Sequence, residues 1–188
     1  MINPIYLKEE TVRKLQSHYY QDPAFRSVTM AQFFTEKAME TILNEVMAAE
    51  FTDDQIATMY RRQISQTPKS IDTLIQSEEF INLLRQICGR QVEIIATRMY
   101  RYGHRDYKII SDDQESASYD IIIDLTPDWD DELGGFVAYT DGEGNFYRLG
   151  TTFGSVTLVE SRDHHDYVKY VNHYANELKR YFIIINAK

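Results

Sequence analysis

The hydrophobic period of this chain changes once. Up to about residue 90 apolar side chains recur every three or four positions, the spacing of helices buried on one face. Beyond it, short runs of β-branched and aromatic residues alternate with Gly, Asp and Asn. A single switch of this kind within 188 residues leaves room for one core, with helices gathered at one end of the chain and antiparallel strands at the other. The expected organisation is a single domain over 1–188, with 1–90 mainly helical support and 91–188 a jelly-roll core. The fold class is therefore α+β.

Ala38, Ile42, Val46 and Ala49 share one helix face between Phe34 and Phe51, with Thr35 as N-cap. A second helix is expected from Asp53 to about Ser65, ahead of the Gln66-Thr67-Pro68 breaker. A third starts at Ser70 and carries Ile71, Leu74, Ile75, Phe80, Ile81, Leu84 and Ile87. It stops at Gly89, and the Ser77-Glu78-Glu79-Phe80 segment is a point at which it divides. Eight strands are expected after it: Val92 to Tyr102, Tyr107 to Ile110, Tyr119 to Leu125, Phe136 to Thr140, Phe146 to Leu149, Val156 to Val159, Tyr167 to Val171 and Tyr181 to Ile185. Asp141-Gly142-Glu143-Gly144-Asn145 reads as a hairpin loop.

The formal charge of −9 argues against nucleic acid, whose binders draw their affinity from Lys and Arg. There is no Lys or Arg between Lys108 and Arg148, so this stretch is either a solvated acidic face or a surface for a basic partner. The lone Cys88 precludes an internal disulfide and suits a reducing compartment. No apolar run approaches the ~18 residues of a membrane helix, and the N-terminus lacks the features of a signal peptide. A cytoplasmic protein without a membrane partner is expected.

The stretch YRYGHRDYKIISDDQ contains His104-Arg105-Asp106, a HxD spacing that, with a distant His, holds iron(II) in a two-His-one-carboxylate site. The same four residues, Gly103 to Asp106, also read as a tight turn.

The block DYKIISDDQESASYDIIIDLTPDWDDELGGFVAYTDGEG, followed by FGSVTLVESRDHHDYVKYVNHYANELKRYFIII, resembles the catalytic half of the iron(II) and 2-oxoglutarate-dependent dioxygenases of the prolyl hydroxylase branch. Leu125, Asp128-Trp129, Gly134-Gly135 and Arg180-Tyr181 stand in the family's order, and SEEFINLLRQICGR resembles its helical support. The resemblance implies a double-stranded β-helix (jelly roll) with N-terminal supporting helices. It places the HxD pair on Ser111 and Asp113, with Ser111 where the first His is expected.

His104 lies seven residues before Ser111, about 23 Å in an extended strand at ~3.3 Å per residue, so the two cannot share an ion unless the chain folds back. Anchoring on Val168 and Val171 brings Asp166 to the distal ligand position, and His165 takes it only with a bulge or a shifted strand start. His173 follows the strand. Arg180, among Phe182, Ile183 and Ile184, needs a carboxylate. The resemblance offers that of 2-oxoglutarate, and the barrel's own Asp residues offer another.

Two functions follow from the resemblance. One is a prolyl hydroxylase-type dioxygenase acting on a protein or small molecule, with iron(II) held by Ser111, Asp113 and His165 and 2-oxoglutarate by Arg180. The other is a non-catalytic relative that binds a carboxylate, a metal ion or a partner protein.

Overall fold

The computed structural model describes residues 1–110 and 117–188. Its elements in chain order are α1 (Glu9–Tyr19), β1 (Ser27–Met30), α2 (Glu36–Met47), β2 (Thr52–Ile56), β3 (Tyr60–Ser65), α3 (Lys69–Ile75), α4 (Glu78–Cys88), β4 (Ile94–Tyr102), β5 (Tyr107–Lys108), β6 (Tyr119–Asp124), β7 (Val137–Thr140), β8 (Phe146–Arg148), β9 (Val156–Glu160), β10 (His165–Val168) and β11 (Arg180–Ala187). The strands form one antiparallel sheet in the order β1-β9-β6-β11-β4-β3-β5-β10-β7-β8, with β2 paired to β3. The sheet curls on itself as the expected jelly roll, with the helices packed against its outer face.

Local chemistry sets the helix ends. The Thr35 hydroxyl accepts the amide of Ala38, and the Ser77 hydroxyl accepts that of Phe80, which starts α4 and separates it from α3. Gly89 ends α4 in the left-handed region at φ 67°, its N–H donating to the Arg85 carbonyl. Helix α1 has the same kind of face, with Val12, Leu15 and Tyr19 buried.

The segment from Asp53 to Ser65 is not a helix. It is the β2–β3 hairpin, turning through Thr58 at φ 72°, and β3 pairs with β4 from Gln63↔Arg101 to Ser65↔Met99. Ile56, Tyr60 and Ile64 are spaced like a helix stripe, but exposed Ile56 and half-buried Tyr60 and Ile64 have no core to face, and the ladder to β4 prevails. Strand β1 also comes from the first 90 residues and pairs with β9.

Two cores lie on the two faces of the sheet. Ile121, Ile123, Leu158, Ile183 and Ile185 pack against Leu15, Ile42, Ile71, Phe80, Leu84 and Ile87 of the helices. Ile122, Phe182, Ile184, Tyr102, Tyr139 and Val168 fill the barrel. Each fully buried apolar side chain of this size contributes about 1.5–3 kcal/mol. No helix among the described residues is long and apolar enough to cross a membrane.

One backbone contact closes a barrel end. Gly134, at φ 83°, lies so close to the Tyr170 carbonyl that a Cβ there would collide with it, and the Trp129 indole N–H donates to the Gly134 carbonyl at 2.8 Å. Gly142, in the β7–β8 loop, has open space around it. Gly134→Ala is therefore expected to lower the urea-unfolding free energy by about 2 kcal/mol or more, and Gly142→Ala to change it by less than about 0.5 kcal/mol.

Candidate functional site

The site is built by alternation along β6. Its residues Tyr119–Asp124 are all buried, and successive side chains go to opposite faces. Ile121 and Ile123 meet the helices, so Asp120, Ile122 and Asp124 enter the barrel. Strand β11 runs alongside with Phe182↔Asp124 and Asn186↔Asp120 in register. A carboxylate in such a place needs donors, because an uncompensated buried charge is expensive.

At one end the donor is Arg180. Its Nη1 donates to Asp124 Oδ1 at 2.5 Å and to Thr126 Oγ1 at 2.7 Å, and its Nη2 donates to Asp124 Oδ2 at 2.6 Å. This is a bidentate pair, with both residues buried, the guanidinium at 2 % exposure. Its Nε is buried without a hydrogen-bond partner.

Across the barrel, β10 supplies Asp166, opposite Tyr139 of β7, and β5 supplies Lys108, opposite Val168. The Lys108 ammonium donates to both oxygens of Asp166, at 2.5 and 2.6 Å. The Tyr139 hydroxyl donates to Asp120 Oδ2 at 2.9 Å, and Asn186 Nδ2 donates to Asp120 Oδ1 at 2.8 Å. Burial pushes the Asp120 carboxyl up from 3.8 to about 6, and the Asp166 charge adds to the rise against the donors and Lys108. Burial, followed by Asp120 itself, raises the Tyr139 phenol well above its ordinary value.

The residues expected from the sequence fall as follows. His104 and Arg105 form the turn between β4 and β5, with Arg105 at φ 73°; buried Asp106 accepts the Gly103 N–H at 2.8 Å and pairs with Arg61. Ser111 and Asp113 lie outside the described residues. Strand β10 runs in unbroken register with β7 from His165 to Val168, which puts Asp166 inward and His165 on the opposite face. His173 sits in a short 3-10 turn after β10. Arg180 enters the barrel, where its carboxylate partner is Asp124.

The acidic stretch is not one solvated face. Asp120 and Asp124 are inside the barrel, and Asp131 is ion-paired with Arg148.

Iron(II) and 2-oxoglutarate, which the resemblance implies, would meet residues already paired at Asp166 and Arg180. A dicarboxylate reaching Arg180 finds both terminal nitrogens already donating to Asp124, with the buried Nε left as the unpartnered donor. A metal ion reaching Asp166 meets the Lys108 ammonium on both carboxylate oxygens. Among the described residues no three His, Cys, Asp or Glu side chains converge as a metal site.

Sequence reasoning passed over Lys108, Asp120, Asp124 and Tyr139. The signal for two of them was present: in the strand YDIIID the two Asp residues stand four apart with Ile122 midway, so all three share one face. Their partners carried no such signal, being 56 to 66 residues away in the chain or across a strand pair.

No family model matches the sequence, and no curated protein matches it. Solved structures do share its fold. A prolyl hydroxylase from Trichoplax adhaerens, in complex with a hypoxia inducible factor oxygen degradation domain peptide fragment, superposes at a TM-score of 0.71 with 15% identity, over 96% of this chain and 93% of that one. A Pseudomonas putida prolyl-4-hydroxylase gives 0.68 and 13% identity, over 93% of this chain and 98% of that one. HygX from Streptomyces hygroscopicus, with nickel, 2-oxoglutarate and hygromycin B bound, gives 0.62 and 9%, over 96% of this chain and 86% of that one. The fold is that of the 2-oxoglutarate and iron(II) oxygenases, with prolyl hydroxylases among its neighbours.

Two outcomes follow from the interior charges. Asp120 has a folded pKa raised above its unfolded value, so its stabilising contribution is complete below about pH 4 and is lost as pH rises through about 6. In urea unfolding over this window, native stability is expected to fall relative to Asp120→Asn by on the order of 2–3 kcal/mol. Asp124→Ala, which strands the guanidinium, is expected to cost about 3–5 kcal/mol, and adding Arg180→Met to recover part of it, as a double-mutant cycle would show.

Proposed function

We propose that this chain is a non-catalytic member of the oxygenase fold that acts as a single-domain, cytoplasmic module for a partner protein. The observation that carries the reading is the Arg180–Asp124 pair. The guanidinium that the resemblance assigns to 2-oxoglutarate has both terminal nitrogens on an internal carboxylate. Displacing Asp124 would leave a buried, unpaired charge, and breaking such a pair costs about 3–5 kcal/mol. A co-substrate that takes the two terminal nitrogens would have to overcome that cost first.

A protein partner is favoured over a small carboxylate or a metal ion because the interior charges are engaged with one another, whereas apolar surface is offered outside. Ile109, Ile110 and Tyr170 are about half exposed around the end of β5 and β10, and the Phe146 ring packs against Tyr167 nearby. The Trichoplax fold neighbour was solved with a peptide, which makes a peptide a ligand that this architecture can accommodate.

The test is calorimetric titration of the iron(II)-supplemented chain with 2-oxoglutarate, alongside succinate release under oxygen. Neither saturable heat nor succinate is expected. Succinate formation by the native chain would establish the dioxygenase instead, with iron(II) and 2-oxoglutarate as its cofactors.

A further inference from the structure

We infer that the Lys108 ammonium stands in for a metal ion at Asp166. The inference rests on the non-catalytic reading and concerns a different group from the Arg180 pair.

Asp166 is the inward-facing residue of β10, at the position to which the resemblance assigns the distal metal ligand. Both of its oxygens accept from one ammonium, and the carboxylate and the lysine stem are largely buried, with side chains 10% and 19% exposed. Lys108 reaches it from β5, the strand leading to Ser111 and Asp113. A second carboxylate, Asp120, is close enough for the Asp166 charge to raise its pKa and for Lys108 to lower it. Two inward carboxylates thus share one positive charge, supplied by the chain.

Two consequences follow. While the ammonium is present, a divalent cation at Asp166 would meet like-charge repulsion within ordinary ligand distances, at oxygens that each already accept a hydrogen bond. Without the ammonium, Asp166 and Asp120 repel each other in a poorly solvated interior, and an external cation becomes the compensating charge. Lys108 therefore closes the interior to metal and also holds β5 to β10, beside the Val168↔Lys108 register pair and the Val171 N–H donated to the Asp106 carbonyl.

The experiment uses the full chain, stripped of metal, with manganese(II) as the probe and no 2-oxoglutarate present. Melting temperature and manganese uptake by equilibrium dialysis are measured for the native chain, Lys108→Met, Asp166→Asn, and Lys108→Met combined with Asp166→Asn. The native chain is expected to take up no manganese and to melt unchanged. Lys108→Met should melt lower and regain about 4 °C on adding millimolar manganese. The double variant should melt near the native chain and ignore the metal. Stoichiometric manganese uptake by the native chain that Asp166→Asn abolishes would overturn the inference, and so would a folded Lys108→Met indifferent to manganese. If Lys108→Met does not fold, the native-chain dialysis decides alone. Manganese uptake at Asp166 by the native chain, without succinate release in the oxygenase assay, would sink this inference and leave the non-catalytic reading standing.

Discussion

The strand Tyr119–Asp124 is buried on both faces, and the rest of the interior answers to it. Its isoleucines at 121 and 123 anchor the helices, so the pleat turns Asp120 and Asp124 into the barrel beside Ile122. A carboxylate there is tolerable only with donors in place. Arg180 meets Asp124 in a bidentate pair, Tyr139 and Asn186 meet Asp120, and Lys108 meets Asp166 across the barrel. These contacts tie β6 to β11 and to β7, and β5 to β10, in addition to any backbone ladders between them.

The same arrangement sits inside a widely shared fold. The jelly roll and its supporting helices belong to an architecture shared with prolyl hydroxylases at TM-scores near 0.7. The interior charges are arranged for mutual neutralisation. The terminal nitrogens of Arg180 are held by Asp124, and both Asp166 oxygens accept from the Lys108 ammonium. Fold and chemistry are separable because the fold is set by apolar alternation, whereas chemistry depends on a few polar positions inside it.

Much of the architecture was legible along the chain. The cap at Thr35, the division at Ser77, the left-handed stop at Gly89 and the run of strands after residue 92 correspond to elements observed, whereas Ser70, expected as a cap, lies inside α3, which starts at Lys69 after Pro68. The segment from Asp53 to Ser65 was misread because Ile56, Tyr60 and Ile64 imitate a helix stripe, and only pairing with β4 makes β3 a strand. The HxD spacing at His104 imitated an iron motif in the same way. Three residues bent by a positive φ at Arg105 make a turn, whatever their side chains suggest.

What the sequence determined by itself was local: where the period changes, where helices start and stop, and which residues of a strand share a face. Those follow from backbone geometry and near-neighbour hydrogen bonds. What only the tertiary structure decided was which charge meets which. Asp124 and Arg180 are 56 residues apart, and Lys108 and Asp166 are 58 apart. Register within the curled sheet chooses their partners, since nothing in a carboxylate's own sequence neighbourhood tells it which cation the fold will bring to it.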